Sequence, residues 1–580
     1  MRDSFEKVKK IGLIIGGITN DFSIEIIKGV MNSVRSKSNL KLVILPGELM
    51  LQDFMGTEVT QHNVMFNSVY NLGSICNMDG LIISMGSLGW LFKGKEAYSF
   101  LENFKGIPTV LISSDFEDYT TVNYDNQMGI SEAIDCLVSV YECTNIGMIG
   151  GYKENIDAVK RRDIFISCLK ENGLEFEEKL YVASDMSEDS EAAAEKLLSD
   201  NPDIQAVFCV NDATAAGLYN VMKARNLVPG KDIYVFGFDN TKKSTVMTPP
   251  LSSIGPESVA LGYRALELLL DKIDGEETKS ELVPTRLYGR ESMKYDKYDF
   301  TVSDISRVDE TIINRMFDDC FYRYSTEFVS DDSINLRRLF YEFISRMLIG
   351  LKRRYIGIDE FNEIGNLIDI FFENGAMEYT DVHKFLKDVE KLQNGINKQQ
   401  RGNDNVFVNR LFLRMKDAAI KAISEERIKE FYEDYSSRTY MRRFLIKGMN
   451  FSGDREHILR SHISSMNMLG VNNGLFYFFD EPLDKEEIEA EKYPDTILLK
   501  GVVKNGEVYL MPEERQRRLL AEIYNQKLSN SRIASIVTFP ILYRTKFYGF
   551  MLCEVTKSVI EHGELISNIM GILVHMTYEI

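Results

Sequence analysis

The sequence has 580 residues, of which 44% are hydrophobic and 27% are charged, and its formal net charge is −19. A chain of this length usually folds into several domains of roughly 150 residues each. The acidic balance argues against a nucleic-acid surface, because such surfaces need an excess of Lys and Arg to replace phosphate counterions. We therefore expect a multidomain globular protein that does not bind DNA directly.

The cysteines and the N-terminus indicate a cytoplasmic protein. The seven cysteines are odd in number and show no CxxC spacing, which favours buried free thiols over a disulfide framework. The apolar run Ile11–Ile18 contains three glycines and no small-residue cleavage site follows it, so it predicts a buried strand rather than a signal peptide. No window approaches the ~18 apolar residues of a membrane span, and we expect no membrane partner.

The stretch from Ala206 to Asn240 predicts a strand, a helix and a second strand, which is a βαβ unit with parallel strands. Each strand ends in a polar pair, Asn211-Asp212 after the first and Asp239-Asn240 after the second. Ligands of parallel sheets bind outside the carboxyl ends of the strands. These four side chains therefore predict the edge of a ligand-binding crevice.

The same stretch, VNDATAAG followed by VPGKDIYVFGFDN, resembles the sensor of the lactose/galactose-repressor type. Flanking segments agree in order and spacing, and the resemblance covers roughly residues 8–293. They are VNYDNQMG, RRDIFISCL, PLSSIGP and PTRLYGRES. This resemblance implies the α/β, two-lobed, doubly wound type I periplasmic-binding-protein fold. It also implies three chain crossovers between the lobes, expected near Asp115–Thr121, Thr241–Ser253 and Glu281–Thr285.

We accordingly predict a ligand-binding sensor over residues 1–300, with one lobe at about 8–114 and the other at about 122–240. Short β-branched runs predict four strands in each lobe. Those of the first lobe are Ile11–Ile15, Leu40–Leu45, Asp79–Ser84 and Thr109–Ser113; those of the second are Asn145–Gly150, Lys179–Ala183, Ala206–Val210 and Ile233–Phe238.

The candidate ligand contacts follow from the resemblance. Arg161 matches the arginine of an R-x-x-G-aromatic motif, in which Ile164 replaces the glycine, and a guanidinium can grip vicinal hydroxyls or a carboxylate. Phe22 matches an aromatic that can stack on a flat ligand. The complete set is Asn20, Asp21, Phe22, Ser84, Asp125, Arg161, Asn211 and Asp239. For the polar members, hinge or helix-capping hydrogen bonding is the competing interpretation.

After the sensor, the pattern changes to helical. From Val302 to near Arg438 strand signals vanish, and apolar residues recur every three or four positions. One such stripe is Leu336, Phe340, Phe343, Met347 and Leu351, and another is Phe361, Ile364, Ile368 and Phe371; a third is Phe385, Val389, Leu392 and Ile396. We predict an α-helical connector over residues 301–437.

Residues 438–580 predict an α+β domain. Helical periodicity over Arg455–Leu469 precedes a strand at Gly474–Asp480, and Asn505-Gly506 indicates the turn of a hairpin over Thr496–Leu510. Two strands surround Tyr543–Lys546, and a helix follows over Glu561–Glu579. Helix, antiparallel strands and closing helix resemble a GAF domain, above all in ASIVTFPILYRTKFYGFMLCEV. The asparagine-lysine-phenylalanine signature of cyclic-nucleotide-binding GAF domains is not present.

No catalytic motif, metal-ligand spacing or phosphate loop stands out, so we expect neither an enzyme nor a cofactor. The leading hypothesis is a ligand-sensing regulator that binds a small polar metabolite, such as a sugar or nucleoside, and transmits hinge closure to its C-terminal half. The alternative is the sensory portion of a diguanylate cyclase-type enzyme, because the order of sensor, connector and GAF-like domain resembles proteins that continue into a GGDEF domain.

The final helix raises the question of oligomeric state. Leu565, Ile569, Ile572 and His575/Met576 form an apolar stripe that predicts a dimer seam. Packing of the same stripe on the sheet of its own domain is the alternative. We expect a homodimer joined through the C-terminal half.

Overall fold

Strand β1 lies at the centre of a parallel sheet because its residues are apolar on both faces. The computed structural model describes residues 8–37, 39–48, 57–88, 95–153, 155–256, 259–294, 310–324, 334–353, 355–399, 406–449, 460–525 and 535–578. The first sheet, which defines the N-lobe, contains β1 Lys9–Gly16, β2 Leu40–Gly47, β3 Gly80–Ser84, β4 Thr109–Ile112 and β5 Thr120–Asp125. Its order is β5-β4-β3-β1-β2.

The second sheet defines the C-lobe and has the order β7-β6-β8-β9-β10-β11. Its strands are β6 Ile146–Gly150, β7 Tyr181–Ala183, β8 Ala206–Cys209, β9 Tyr234–Phe238, β10 Ser252–Pro256 and β11 Glu281–Tyr288. Strands β8 and β9 are parallel, which confirms the predicted βαβ unit. Strand β11 joins both lobes, since Glu281–Pro284 pair with β5 and Thr285–Tyr288 pair with β10.

Two of the three predicted crossovers lie elsewhere. The first follows Asp125 rather than Asp115–Thr121, because Thr120–Asp125 forms the strand β5 of the N-lobe sheet. The second follows β10, because Ser252–Pro256 still pairs with the C-lobe. The third lies within β11, in agreement with the prediction of Glu281–Thr285.

Helices cover both sheets. Helix Asp21–Arg35 packs against Ala260–Ile273 so closely that a Cβ on Gly29 would lie 2.1 Å from the Val259 carbonyl oxygen. The other helices of the two lobes are Thr57–Phe66, Leu72–Ile75, Met85–Leu88, Lys95–Glu102, Asn126–Ser139, Ile156–Glu171, Glu191–Asp200, Asp212–Ala224 and Lys242–Val246, with 3-10 turns at Asn67–Asn71 and Glu178–Leu180.

A helical bundle follows the sensor, in agreement with the helical periodicity. It has a phenylalanine-rich core of its own, which is separate from the cores of both lobes. Its elements are Glu310–Cys320, Leu336–Arg353, Ile358–Glu373, the 3-10 turn Ala376–Tyr379, Val382–Gln399 and the first part of Val406–Met449. The predicted boundary at residues 300 and 301 lies outside the described residues. The predicted boundary at 437 and 438 falls inside the unbroken 44-residue helix Val406–Met449.

The C-terminal module (residues 441–578) is an antiparallel sheet with a closing helix, Lys557–Tyr578. Its strands are β12 Gly474–Asp484, β13 Thr496–Lys504, β14 Glu507–Leu510, β15 Arg517–Leu519, β16 Ser535–Tyr543 and β17 Lys546–Glu554; its shorter helices are Met466–Leu469, Lys485–Glu489, Glu513–Arg515 and Leu520–Asn525. The Asn505-Gly506 turn is present, with φ of 52° and 79°. Part of the predicted helix Arg455–Leu469 lies outside the described residues.

The module and the N-lobe share one sheet. Strand β16 pairs in parallel with β2, so that Ile536 lies opposite Val43 and Val537 lies opposite Ile44. One hydrophobic core runs from the N-lobe into the module as a result. The sequence contains no local signal for this pairing, because the two strands are almost 500 residues apart.

Candidate ligand site between the two lobes

Arg161 and Asp239 meet where the carboxyl ends of the C-lobe strands face the N-lobe. The guanidinium of Arg161 donates from Nη2 to Asp239 Oδ1 at 3.2 Å and from Nη1 to the Val210 carbonyl oxygen at 2.7 Å. It also lies 3.6 Å from the centroid of the Phe238 ring. Arg161 is thus fixed by the protein before any ligand arrives, and Asp239 is its anionic partner.

The backbone holds Asp239 in an uncommon conformation. Asp239 and Asn240 have φ values of 92° and 47°, in the left-handed region where Asp and Asn are over-represented. The amide of Asp239 donates to the Ile254 carbonyl oxygen at 2.7 Å. Burial raises the pKa of Asp239, and Arg161 acts in the opposite direction. Ionisation of this buried carboxyl therefore costs free energy, and a hydrogen-bond donor from a ligand would stabilise the charged form.

Three aromatic rings line the region between the lobes. The ring of Tyr124, at the end of β5, lies 6.4 Å from Phe22 and 6.1 Å from Phe238. Phe22 belongs to the N-lobe and Phe238 to the C-lobe, so the three rings form one aromatic cluster beside Arg161, in which Phe238 is fully buried. Tyr124 was not among the predicted residues, although it directly precedes Asp125 in the VNYDNQMG segment.

Three of the predicted polar residues cap helices. Asn20 accepts from the Ser23 amide at 2.8 Å, and Asn211 accepts from the Thr214 amide at 2.9 Å. Asp125 accepts from the amides of Gln127 and Met128. These contacts correspond to the capping interpretation for Asn20, Asp125 and Asn211.

Ser84 and Asp21, two further predicted contacts, differ in exposure. The Ser84 hydroxyl is fully buried and has no hydrogen-bond partner among the described residues. Asp21 lies at the exposed start of its helix, within electrostatic reach of Lys243 in the C-lobe and Arg323 in the bundle. Burial nevertheless raises the pKa of Asp21. Ser84 thus offers a buried hydroxyl, and Asp21 offers an exposed carboxylate.

A second polar network, which the sequence did not predict, begins one residue after Asp239. Arg290 donates to Asn240 Oδ1 at 2.6 Å, to Tyr322 Oη at 2.9 Å and to Asp381 Oδ2 at 3.3 Å. Arg290 and Asp381 are both buried. This network joins the ligand site to the bundle through Asn240, and it pairs residues 91 positions apart, which local patterns do not reveal.

Other chemistry is not evident in the described part of the chain. No group of three or more His, Cys, Asp or Glu side chains there could hold a metal ion. The seven cysteines are free and buried. Within the same residues, no helix is long and apolar enough to cross a bilayer.

Residues 141–293 match a family model described as a periplasmic binding protein-like domain. Among characterised proteins, the chain is 27% identical to catabolite control protein A of Priestia megaterium, over 50% of this chain and 83% of that protein. It is 29% identical to the HTH-type transcriptional regulator CelR of Thermobifida fusca, over 30% of this chain and 52% of that protein. It is 26% identical to the HTH-type transcriptional repressor CytR of Escherichia coli, over 43% of this chain and 77% of that protein.

Two solved structures are similar to half of this chain, each with a TM-score of 0.42. One is a CelR–cellobiose complex, which is 23% identical and is covered over 85% of its length. The other is a lac repressor dimer bound to operator and an anti-inducer, which is 18% identical and is covered over 96% of its length.

These relatives are regulators rather than enzymes, and none of them supports the diguanylate cyclase alternative. Because CelR and CytR are HTH-type proteins, they also lend no support to our expectation that the chain does not bind DNA. The matches say nothing about the bundle and the module. Residues 141–293 therefore match a periplasmic-binding-protein-like domain, and the N-terminal half of the chain is similar in sequence to bacterial transcriptional regulators.

Proposed function

We propose that the chain is a ligand-sensing regulatory protein whose crevice binds a small polar metabolite of the sugar or nucleoside class. The Arg161–Asp239 pair carries this proposal, because it offers fixed donors and a charged acceptor side by side at the border of the two lobes. Vicinal hydroxyls donate and accept at this spacing, so they can satisfy both groups at once.

The surroundings of the pair support the same ligand class. The rings of Phe22 and Tyr124 offer apolar faces on which a sugar or a base can stack. The unpartnered hydroxyl of Ser84 is available for a further hydrogen bond from the N-lobe side. A ligand held by Arg161 and Ser84 would contact both lobes and would favour their closed arrangement.

The C-terminal half is attached to the two lobes separately, which suggests how closure is transmitted. The bundle is anchored to the C-lobe by Arg290, whose bonds to Tyr322 and Asp381 are buried. The C-terminal module is anchored to the N-lobe through the pairing of β16 with β2. Closure of the lobes would therefore move the bundle relative to the module.

Among the described residues, charged side chains of the bundle face charged side chains of the N-lobe. Arg323 of the bundle donates to the Asn240 carbonyl oxygen at 3.3 Å and acts electrostatically on Asp21 of the N-lobe. Glu378 of the bundle similarly interacts with Lys28 of the N-lobe. These opposite charges attract each other, so closure of the lobes would strengthen their attraction. The bonds of Arg290 to the bundle would remain intact.

We infer that the C-terminal module is a GAF-like regulatory domain. The observed order of a helical entry, antiparallel strands β12 to β17 and the closing helix supports this assignment. In this proposal the module transmits the ligand-induced movement by binding a partner protein.

A thermal-shift screen with a panel of sugars and nucleosides tests the proposed ligand site. We expect at least one compound to raise the melting temperature of the wild type, and Arg161→Met and Asp239→Asn to remove most of that rise, because each deletes one charged contact. Arg162→Met is the matched control, since Arg162 is adjacent but stacks on Tyr181 instead. Equal shifts in all four proteins would contradict the assignment, as would a panel without any stabilising compound.

A further inference from the structure

The helix Val406–Met449 joins the bundle to the C-terminal module, and its middle part is not buried in either of them. Its first part, to Ile423, packs in the bundle core, and its end, from Met441, packs in the core of the module. None of the side chains of residues 424–439 is buried. We call residues 424–439 the bare segment.

One face of the bare segment is apolar. Ile428, Phe431, Tyr432 and Tyr435 are 56%, 65%, 63% and 62% exposed, and their spacing of three and four places them on one side of the helix. The opposite side is turned toward the rest of the chain, because Glu430 contacts Lys242 and Lys557 there. A helix that exposes aromatic residues in this way normally packs them against a partner.

The charges along the helix specify how a partner helix would lie. A line of positions spaced by three and four runs from Glu425 through Tyr432 and Tyr435 to Arg442. Between 425 and 434 five residues are acidic and two are basic, whereas between 435 and 447 four are basic and none is acidic. Two copies lying parallel would place Glu425 on Glu425 and Arg442 on Arg442; two antiparallel copies would place Glu425 on Arg442.

We propose that a second copy of this chain binds the bare segment, and that the two helices pack antiparallel about a two-fold axis between Tyr432 and Tyr435. In this arrangement the tyrosines of the two copies stack at the centre, and Ile428 of each copy covers Thr439 of the other. The acidic and basic ends then form ion pairs on both sides of the axis.

The bare segment is a different seam from the final helix, whose apolar stripe the sequence predicted as the dimer interface. Of the predicted stripe, Ile569 is buried in the core of the module. Leu565, Ile572 and Met576 of the same stripe are exposed. Dimerisation through the bare segment requires no crevice ligand, so it can fail or succeed independently of the proposed function.

Sedimentation of the full-length chain at micromolar concentration tests the interface. We expect a dimer, and we expect Tyr435→Glu to raise its dissociation constant at least about tenfold, because two central aromatic contacts are lost and two charges are introduced. Tyr355→Glu is the control, since Tyr355 is 73% exposed and is not part of the bare segment, and the substitution is the same. A monomeric wild type, or equal loss in both variants, would overturn the proposal.

Disulfide trapping tests the orientation, and the background is low because the natural cysteines are buried. Glu425→Cys and Arg442→Cys are prepared separately, oxidised alone and then oxidised as a mixture. In the antiparallel dimer only the mixture gives a cross-linked product, because identical positions are about 26 Å apart along the axis. Cross-linking of either variant with itself would show a parallel pair and contradict the proposed orientation.

Discussion

The bundle and the C-terminal module are joined to the sensor in physically different ways. The bundle meets the C-lobe through buried charge, in which Arg290 bonds to Asp381, Tyr322 and Asn240. The module meets the N-lobe through backbone pairing of β16 with β2 and a shared apolar core. The first junction depends on a few side chains, one of which bonds to the neighbour of Asp239 in the proposed ligand site, whereas the second extends a sheet and makes the module part of the N-lobe.

The junctions also differ in their response to pH. Arg290 holds the pKa of Asp381 below its usual value despite the burial of the carboxyl, so this junction loses stability only when pH falls through that lowered pKa. At the other junction, burial and the neighbouring Glu564 of the module raise the pKa of Glu48 to about 8. The protonated form of Glu48 is favoured in the folded state, so stability declines as pH rises from about 4.5 towards 8.

The largest expected effect comes from breaking the bundle junction with Arg290→Met. The substitution leaves Asp381 buried without its cation, which costs about 3–5 kcal/mol. Hydrogen exchange should show faster exchange in the helix Val382–Gln399, while strand β16 keeps its protection. Arg338→Met, which removes an exposed arginine paired with Glu342, is the control. It should change the exchange rate of neither the helix nor strand β16. Loss of protection in β16 as well would mean that the two junctions are not independent.

A smaller effect is expected from Glu48→Gln at the module junction. This variant should be more stable than the wild type at pH 8 by roughly 1–2 kcal/mol, because it removes a charge that burial and the like charge of Glu564 both disfavour. The difference should vanish near pH 4, where Glu48 is protonated in both states. Thermal unfolding across this pH range measures it, with the exposed Glu102→Gln as the control. A constant difference at all pH values would exclude titration of Glu48 as the cause.

The smallest effect concerns the contact between the C-lobe and the helix Val406–Met449. Lys242 reaches Glu426 at 3.6 Å and Glu430 at 3.5 Å, but these side chains are exposed. Lys242→Ala should therefore change the unfolding free energy by no more than about 0.5 kcal/mol. A larger loss in a denaturant titration would show that this helix is a third anchor of the C-terminal half on the sensor.

Local patterns predicted the elements whose neighbours are close in sequence. The buried strand Ala206–Cys209 and the Asn505-Gly506 hairpin were found because apolar periodicity and turn chemistry act over a few residues. Strand β5, with the sequence TTVNYD, was missed because it has no apolar run, and it owes its place to pairing with β4 and β11. Within the candidate site, Asp239 was expected from its strand tip and Arg161 from the family resemblance, and the structure brings the two together.

Long-range pairing was not predictable from one sequence. The ion pair of Arg290 with Asp381 and the ladder of β2 with β16 join segments that carry no mutual signal. The capping roles of Asn20, Asp125 and Asn211 could be named only as an alternative, because an Asn or Asp at a strand end serves ligands and helix amides equally well.

The most direct test of the account measures four distances between spin labels, with and without the compound that gives the largest thermal shift. Labels replace Tyr98 in the N-lobe, Val228 in the C-lobe, Ile358 in the bundle and Leu519 in the module, all of which are exposed. We predict that the ligand changes the distances 98–228 and 358–519 together, while 98–519 and 228–358 stay constant. A change in 98–228 with no change in 358–519 would contradict transmission through the two junctions.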